Sequence, residues 1–161
     1  MVKGETETGT VKENAEGRRS SSAVARAEIS IRQGMWGEEV ATRHILRLGW
    51  RILERNAHPC QSDRRCELDI IALEPCNNRV VFVEVKTHRR RSDFASRLWA
   101  IDGRKKRNLL RAGASWLMRR RWHGHWRFDV IQIYGDSASA KPPEIDHVTN
   151  VKLFPSNWRF W

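Results

Sequence analysis

Glu67-Leu68-Asp69-Ile70-Ile71-Ala72-Leu73, then Glu74-Pro75-Cys76-Asn77-Asn78, then Arg79-Val80-Val81-Phe82-Val83-Glu84-Val85-Lys86 is the stretch that decides how this chain folds. The two outer runs are rich in β-branched residues, and the segment between them is turn chemistry. Two strands joined by so short a connection pair antiparallel as a hairpin. Strand side chains alternate between faces, so Glu84 and Lys86 share one face while Val81, Val83 and Val85 share the other. By the same rule Glu67 and Asp69 share a face. The hairpin then brings Asp69 and Glu84 onto neighbouring strands, within reach of a common ion, although a slip of one residue would separate them.

Carboxylates are unexpected in strands this apolar. A carboxylate there loses hydration and tends to protonate unless a cation compensates, and a second carboxylate beside it sharpens the conflict. A hard divalent cation resolves it: Mg²⁺ takes one or two carboxylates, keeps waters and accepts phosphate oxygens. Lys86 would orient the attacking water, or help deprotonate it, and stabilise charge on phosphorus. Such a site hydrolyses phosphodiesters. The bland alternative is an ordinary ion pair between Glu84 and Lys86 on a half-exposed sheet.

Outward from the hairpin, Met35, Val40, Ile45 and Leu48 predict an amphipathic helix over about Ile29 to Leu48, stopped at Gly49. Trp50 to Asn56 reads as a short strand. A second helix spans roughly Ala100 to Arg120, with Leu109, Gly113, Trp116 and Leu117 on one face. Phe128 to Tyr134 and Ile145 to Val148 read as further strands. Helix, three strands, helix, strand is an α/β domain with one central mixed sheet flanked by helices. Residues 1–27 have almost nothing to bury and read as a flexible tail, 28–155 as the domain and 156–161 as a C-terminal tail. Trp99, Trp116 and Trp126 are expected in the core. Trp158 and Trp161 are better suited to packing than to stacking on bases.

The 161 residues suffice for one domain, and 30 Lys and Arg against 19 Asp and Glu give a net charge of +11. That excess, with a pI near 10.6, is the footprint of a polyanion-binding surface. Charge alone does not separate such a surface from a solvated one. No run is apolar for long enough to span a bilayer, and no secretory core region is present, which leaves nucleic acid as the expected partner and the cytoplasm as the location. Cys60, Cys66 and Cys76 lack any C-x-x-C spacing, so reduced thiols are expected and not zinc with His58. Candidate phosphate contacts are Arg65, Arg89, Arg90, Arg91, Lys105 and Lys106.

Taken together, Gly34-x-x-Gly37-Glu38-x-x-Ala41, Arg55-Asn56, Glu67 to Ala72, Phe82 to Thr87, the helix entry around Lys105, Arg127-Phe128-Asp129-Val130 and Ile145-Asp146-His147-Val148-x-Asn150 resemble the motifs of the YraN-like uncharacterised bacterial family. That family is similar to the PD-(D/E)xK nucleases, archaeal Holliday-junction resolvases above all. The resemblance implies a restriction-endonuclease-like fold and a shared chemistry, endonucleolytic hydrolysis of DNA, branched or damaged DNA included. It makes Asp69, Glu84 and Lys86 catalytic, adds Glu38 to Asp69 and Glu84 as ligands of Mg²⁺ or Mn²⁺, and leaves Glu67 in support behind them. Resolvase-like activity further implies a homodimer. The alternative is a non-catalytic nucleic-acid-binding or RNA- and ribosome-associated module on the same fold. Cys66 stands where the family usually has Gly, His88 where Arg is common, and Ala95 where Gly usually follows Phe94. The first would strain a backbone of positive φ.

Overall fold

The order of apolar runs along the chain is reproduced in a computed structural model, which describes residues 10–61, 63–91 and 103–153. Its elements are α1 (Thr10–Arg47), β1 (Arg51–Ala57), β2 (Leu68–Glu74), a single 3-10 turn (Pro75–Asn77), β3 (Arg79–His88), α2 (Gly103–Arg119), β4 (Trp126–Tyr134) and β5 (Glu144–Val148). The five strands form one sheet in chain order. β1, β2 and β3 run antiparallel, β4 is parallel to β3, and β5 returns antiparallel to β4. The single parallel pair follows from α2, because a strand joined through a crossover helix returns in the same direction. This is the expected α/β architecture, an open mixed sheet flanked by helices.

The hairpin forms as its composition dictates. Asn78 adopts a left-handed conformation at φ 43°, which Asn tolerates, and its N–H donates to the Pro75 carbonyl at 3.1 Å. The ladder pairs Ile71 with Phe82 and Ile70 with Val83. One step further along each strand stand Asp69 and Glu84, so the register is the one that puts both acids on one face.

Each face of the sheet carries its own core. On one, Phe82, Phe128, Val130 and Ile71 pack against Leu109, Ala112, Trp116 and Leu117 of α2. On the other, Val81, Val83, Ile131 and Ile133 pack against Val40, Ala41 and Ile45 of α1. Two glycines permit this closeness. A Cβ on Gly113 would lie 2.9 Å from Phe128 Cζ, and one on Gly37 would lie 2.0 Å from Thr87 Oγ1. Trp116 is buried and Trp126 half-buried against the same core, as expected; Trp99, Ala95, Trp158, Trp161 and the tail 156–161 lie outside the described residues.

Helix α1 departs from expectation at both its start and its face. It begins at Thr10 instead of near Ile29 and so runs through much of the expected tail, residues 1–9 lying outside the described part. That segment holds no proline, its Ala, Glu, Lys and Arg outweigh the weaker helix formers Gly17 and Ser20 to Ser22, and residues 23–32 stay exposed. Met35 and Leu48 are exposed at 66 % and 47 %, while Gln33, Gly37, Val40, Ala41 and Ile45 face the sheet. Val40 and Ile45 face inward as expected, while Gln33, Gly37 and Ala41, which complete the stripe, are small or polar residues that a search for large apolar side chains passes over. No described helix is long and apolar enough to cross a membrane.

Candidate active site

Asp69 opens β2, Glu84 lies in mid-β3, and both face α2. Glu84 is buried at 3 % exposure, beside the apolar side chains that make the strand. Its Oε1 accepts from Lys86 Nζ at 2.6 Å and lies 3.1 Å from Lys105 Nζ, which the first turns of α2 supply. Its Oε2 is buried without any hydrogen-bond partner, alone in this among the side-chain atoms of the described residues. Asp69 Oδ2 accepts the backbone N–H of Val85 at 2.7 Å, which draws its carboxylate against the middle of β3.

Electrostatics sets this pair apart. Burial, and then the neighbouring Glu84, push the Asp69 carboxyl up to about 7, against the pull of Val85 N–H, Lys105 and Lys86. Burial alone would lower the Lys105 pKa, but Glu84, with Asp69 and Glu67 beyond it, more than reverses this and the ammonium is held above its ordinary value. The pocket therefore carries a carboxylate oxygen with no donor and an aspartate that resists ionising. A divalent cation relieves both, and two carboxylates completed by water suit Mg²⁺ or Mn²⁺. The donor set fits a hard ion and contains no thiolate.

The other candidates are distributed unequally. Glu38 is half-buried on α1, which packs on the opposite face, and no three acidic, His or Cys side chains among the described residues come together as a metal cluster. The structure thus joins Asp69 to Glu84 but not to Glu38. Glu67 stands 4.0 Å from His58 Nε2 and acts on Lys105 only at longer range. Arg65 is folded back on Asp63 through three hydrogen bonds, and Arg111 reaches the same carboxylate at 3.0 Å. Arg65 leads the causes that hold Asp63 well below the usual carboxylate range. Arg89 pairs with Asp136, and Arg91 with Glu144 and Asp146. Arg90 is exposed and Lys106 half-buried, and neither is engaged in an ion pair with a described residue. Cys66 has no positive φ, so the residue that replaces Gly there is unstrained. All three thiols are free, and burial leads the causes that push Cys66 up to about 11.

Two features escape sequence reasoning. Lys105, expected as a phosphate contact, is instead a second cation on Glu84; its place in the first turns of an amphipathic helix is the only local hint. The second is a buried network on the α1 side. Arg127 donates to Asp129 and to Glu74, Asn150 N–H donates to Asp129 Oδ1 at 2.8 Å, and His147 Nε2 lies 3.1 Å from Asp129 Oδ2. His44 Nε2 completes the chain 3.2 Å from His147 Nδ1. Burial works against ionisation of Asp129, but His147 and Arg127 hold its carboxyl below the usual range. Every oxygen of that carboxylate is satisfied, so this network ties α1, β4 and β5 together and offers no open position. Glu84 Oε2, by contrast, has no such partner.

A cleft of about 530 Å³ opens on the α1 side of the same strand end, lined by Arg26, Gln33, Gly34, Val85, Lys86 and Arg89 among others. Comparison with known proteins gives a concordant but chemically silent result. The model of the uncharacterised protein family UPF0102 matches residues 37–133. A UPF0102 protein of Pelobacter propionicus is 37 % identical over 141 residues, covering 87 % of this chain and 96 % of its own. UPF0102 proteins of a Mycobacterium species and of Syntrophomonas wolfei are 43 % and 38 % identical, each over 73 % of this chain and over 83 % and 94 % of their own.

Proposed function

This chain belongs to the uncharacterised protein family UPF0102, whose name assigns no chemistry, and we propose from its geometry that it is a metal-dependent endonuclease that hydrolyses phosphodiester bonds of DNA, branched or damaged duplexes included. The observation that carries the reading is the buried Asp69 and Glu84 pair, with one Glu84 oxygen left without a donor and two lysines at the other. Asp69 and Glu84 would hold Mg²⁺ or Mn²⁺, which supplies an activated water and neutralises charge on the phosphate. Lys86 is anchored on Glu84 by one N–H, and its side chain is 43 % exposed, so its remaining donors are free to hold the attacking water or a phosphate oxygen. Lys105 adds positive charge from α2 against the buried Glu84 carboxylate.

The basic surface supports a polyanionic substrate, with Arg90 and Lys106 the best-placed phosphate contacts and Arg65, Arg89 and Arg91 already committed to carboxylates. Free thiols suit a reducing cytoplasm. Cutting both strands of a junction takes two such centres, so that substrate calls for a homodimer. One observation favours the second reading, a nucleic-acid-binding module without catalysis: no third acidic donor joins Asp69 and Glu84 among the described residues.

The deciding assay compares wild type, Glu84→Ala and Lys86→Ala on a four-way junction and a linear duplex, with Mg²⁺ or Mn²⁺. Loss of cleavage in both variants is expected. Calorimetric Mn²⁺ binding should vanish in Glu84→Ala and persist in Lys86→Ala. Equal cleavage by all three proteins would mark a contaminating nuclease and overturn the proposal. Mn²⁺ uptake unchanged by Glu84→Ala would do the same.

A further inference from the structure

The sheet face that carries Glu84 continues as a row of polar side chains towards the ends of β3 and β4. Lys86 is paired in register with Gln132 of β4, and Gln132 in turn with Asp146 of β5. Paired residues on adjacent strands point to the same side, so these three form a line across the sheet at the level of the lysine. Two residues further out, His88 stacks on Tyr134 with ring centroids 5.3 Å apart. Two residues back, Glu84 is paired with Val130.

Within that line the two charged members are engaged. Lys86 is held by Glu84, and Asp146 accepts from Arg91 at 2.7 Å. Gln132 is only 7 % exposed, yet its amide makes no hydrogen bond to any described residue. Most of the side chain is covered, but the amide atoms are not fully buried, so two donors and an acceptor open to solvent beside Lys86. A side chain that the fold leaves without a partner, with its amide open to solvent and about 4.8 Å across the sheet from the proposed water-holding lysine, is available to a ligand held at that lysine.

We propose that Gln132 is a substrate-contacting residue, its amide donating to a non-bridging oxygen of the DNA phosphate that lies against Lys86. This rests on the nuclease reading for its substrate, but the contact is made to the phosphate and needs no ion. An amide is the suitable group at this point. It is neutral, so it does not compete with Glu84 for Lys86, and it donates without adding to a cluster already holding two ammonium groups. Asp146 cannot take the role, because a second anion would repel the phosphate.

The test uses Gln132→Leu and Gln132→Glu in the full chain, with four readouts: urea unfolding, Mn²⁺ affinity by calorimetry, single-turnover cleavage of a duplex, and binding of that duplex in metal-free buffer at fixed salt. Gln132→Leu should unfold at the same or higher urea, bind Mn²⁺ within about twofold of wild type, and cleave at least about tenfold more slowly. Gln132→Glu should bind duplex at least about tenfold more weakly, through charge repulsion. Cleavage by Gln132→Leu within twofold of wild type would overturn the proposal, and so would a loss that tracks a loss of stability. Should wild type neither bind Mn²⁺ nor cleave, the nuclease reading falls by itself. Duplex binding then decides: weakening in Gln132→Glu upholds the phosphate contact, and unchanged binding removes it.

Discussion

Replacing Asp69 by Asn should make the metal-free protein more stable at neutral pH and abolish its stabilisation by divalent cations. The folded carboxyl is pushed up to about 7 from an ordinary 3.8 by burial and by Glu84. Between those two values the native state holds a proton that the unfolded chain has released. Where the native state binds more protons, stability falls as pH rises, so this group's contribution is full below about pH 4 and is lost by pH 7. At about 1.4 kcal/mol per unit, the loss is of order 4 kcal/mol. Asn keeps an oxygen to accept the Val85 N–H and cannot ionise. Urea unfolding of wild type and Asp69→Asn, from pH 4 to 8 with EDTA, should show a difference that grows with pH and levels off near 7. Taking the difference cancels the groups both proteins share, such as Asp63 and Asp129, whose lowered pKa values act with the opposite sign at lower pH. Adding Mn²⁺ at 100 times its Kd should return about 2.7 kcal/mol to wild type and nothing to the variant. Parallel pH curves, or an Asp69→Asn protein that is less stable at pH 7.5, would refute the reasoning.

Other outcomes follow from the same geometry. Gly37→Ala would place a Cβ 2.0 Å from Thr87 Oγ1, so it should cost about 1–3 kcal/mol in chemical denaturation, most of it recovered in the Gly37→Ala, Thr87→Ala double variant. Asp129→Ala strands the buried Arg127 beside a lone Glu74 and should cost about 3–5 kcal/mol, read as a lower denaturation midpoint with the metal affinity unchanged. Lys86→Ala should slow cleavage by roughly 10²–10⁴ while Mn²⁺ still binds, in a single-turnover assay. Duplex affinity should fall steeply with salt, and neutralising Arg90 or Lys106 should reduce the slope of log K against log salt by about one each.

Much of this fold could be read locally, because its strands are short β-branched runs bounded by turn residues. Alternation alone assigned Glu84 and Lys86 to one face and the three valines to the other, and both cores bear this out. The pairing of Asp69 with Glu84 followed from the short connection, since register in a tight hairpin leaves little freedom. What escaped was contact between distant segments. Lys105 meets Glu84 across 21 residues, and nothing near either one announces it. Arg91 resembled a free phosphate contact until β5 placed Glu144 and Asp146 beside it. Val40 and Ile45 of the inward stripe of α1 were legible from periodicity, and the rest of it was obscured for a different reason. Gly37 and Ala41 mark where a helix can approach a sheet, and small residues generate no hydrophobic periodicity to detect.

Gly113 has a reach beyond its own turn of helix. It lets α2 settle onto Phe128 and Phe82, and Lys105 lies eight residues earlier on the same rigid rod, roughly 12 Å along its axis. The standoff set at the glycine therefore governs how far the ammonium must stretch to meet the carboxylate. A methyl group there would act as a wedge under a lever, loosening the lysine while leaving every atom around Glu84 chemically intact. Chemistry at Glu84 is thus calibrated by a missing side chain about two helical turns further along α2.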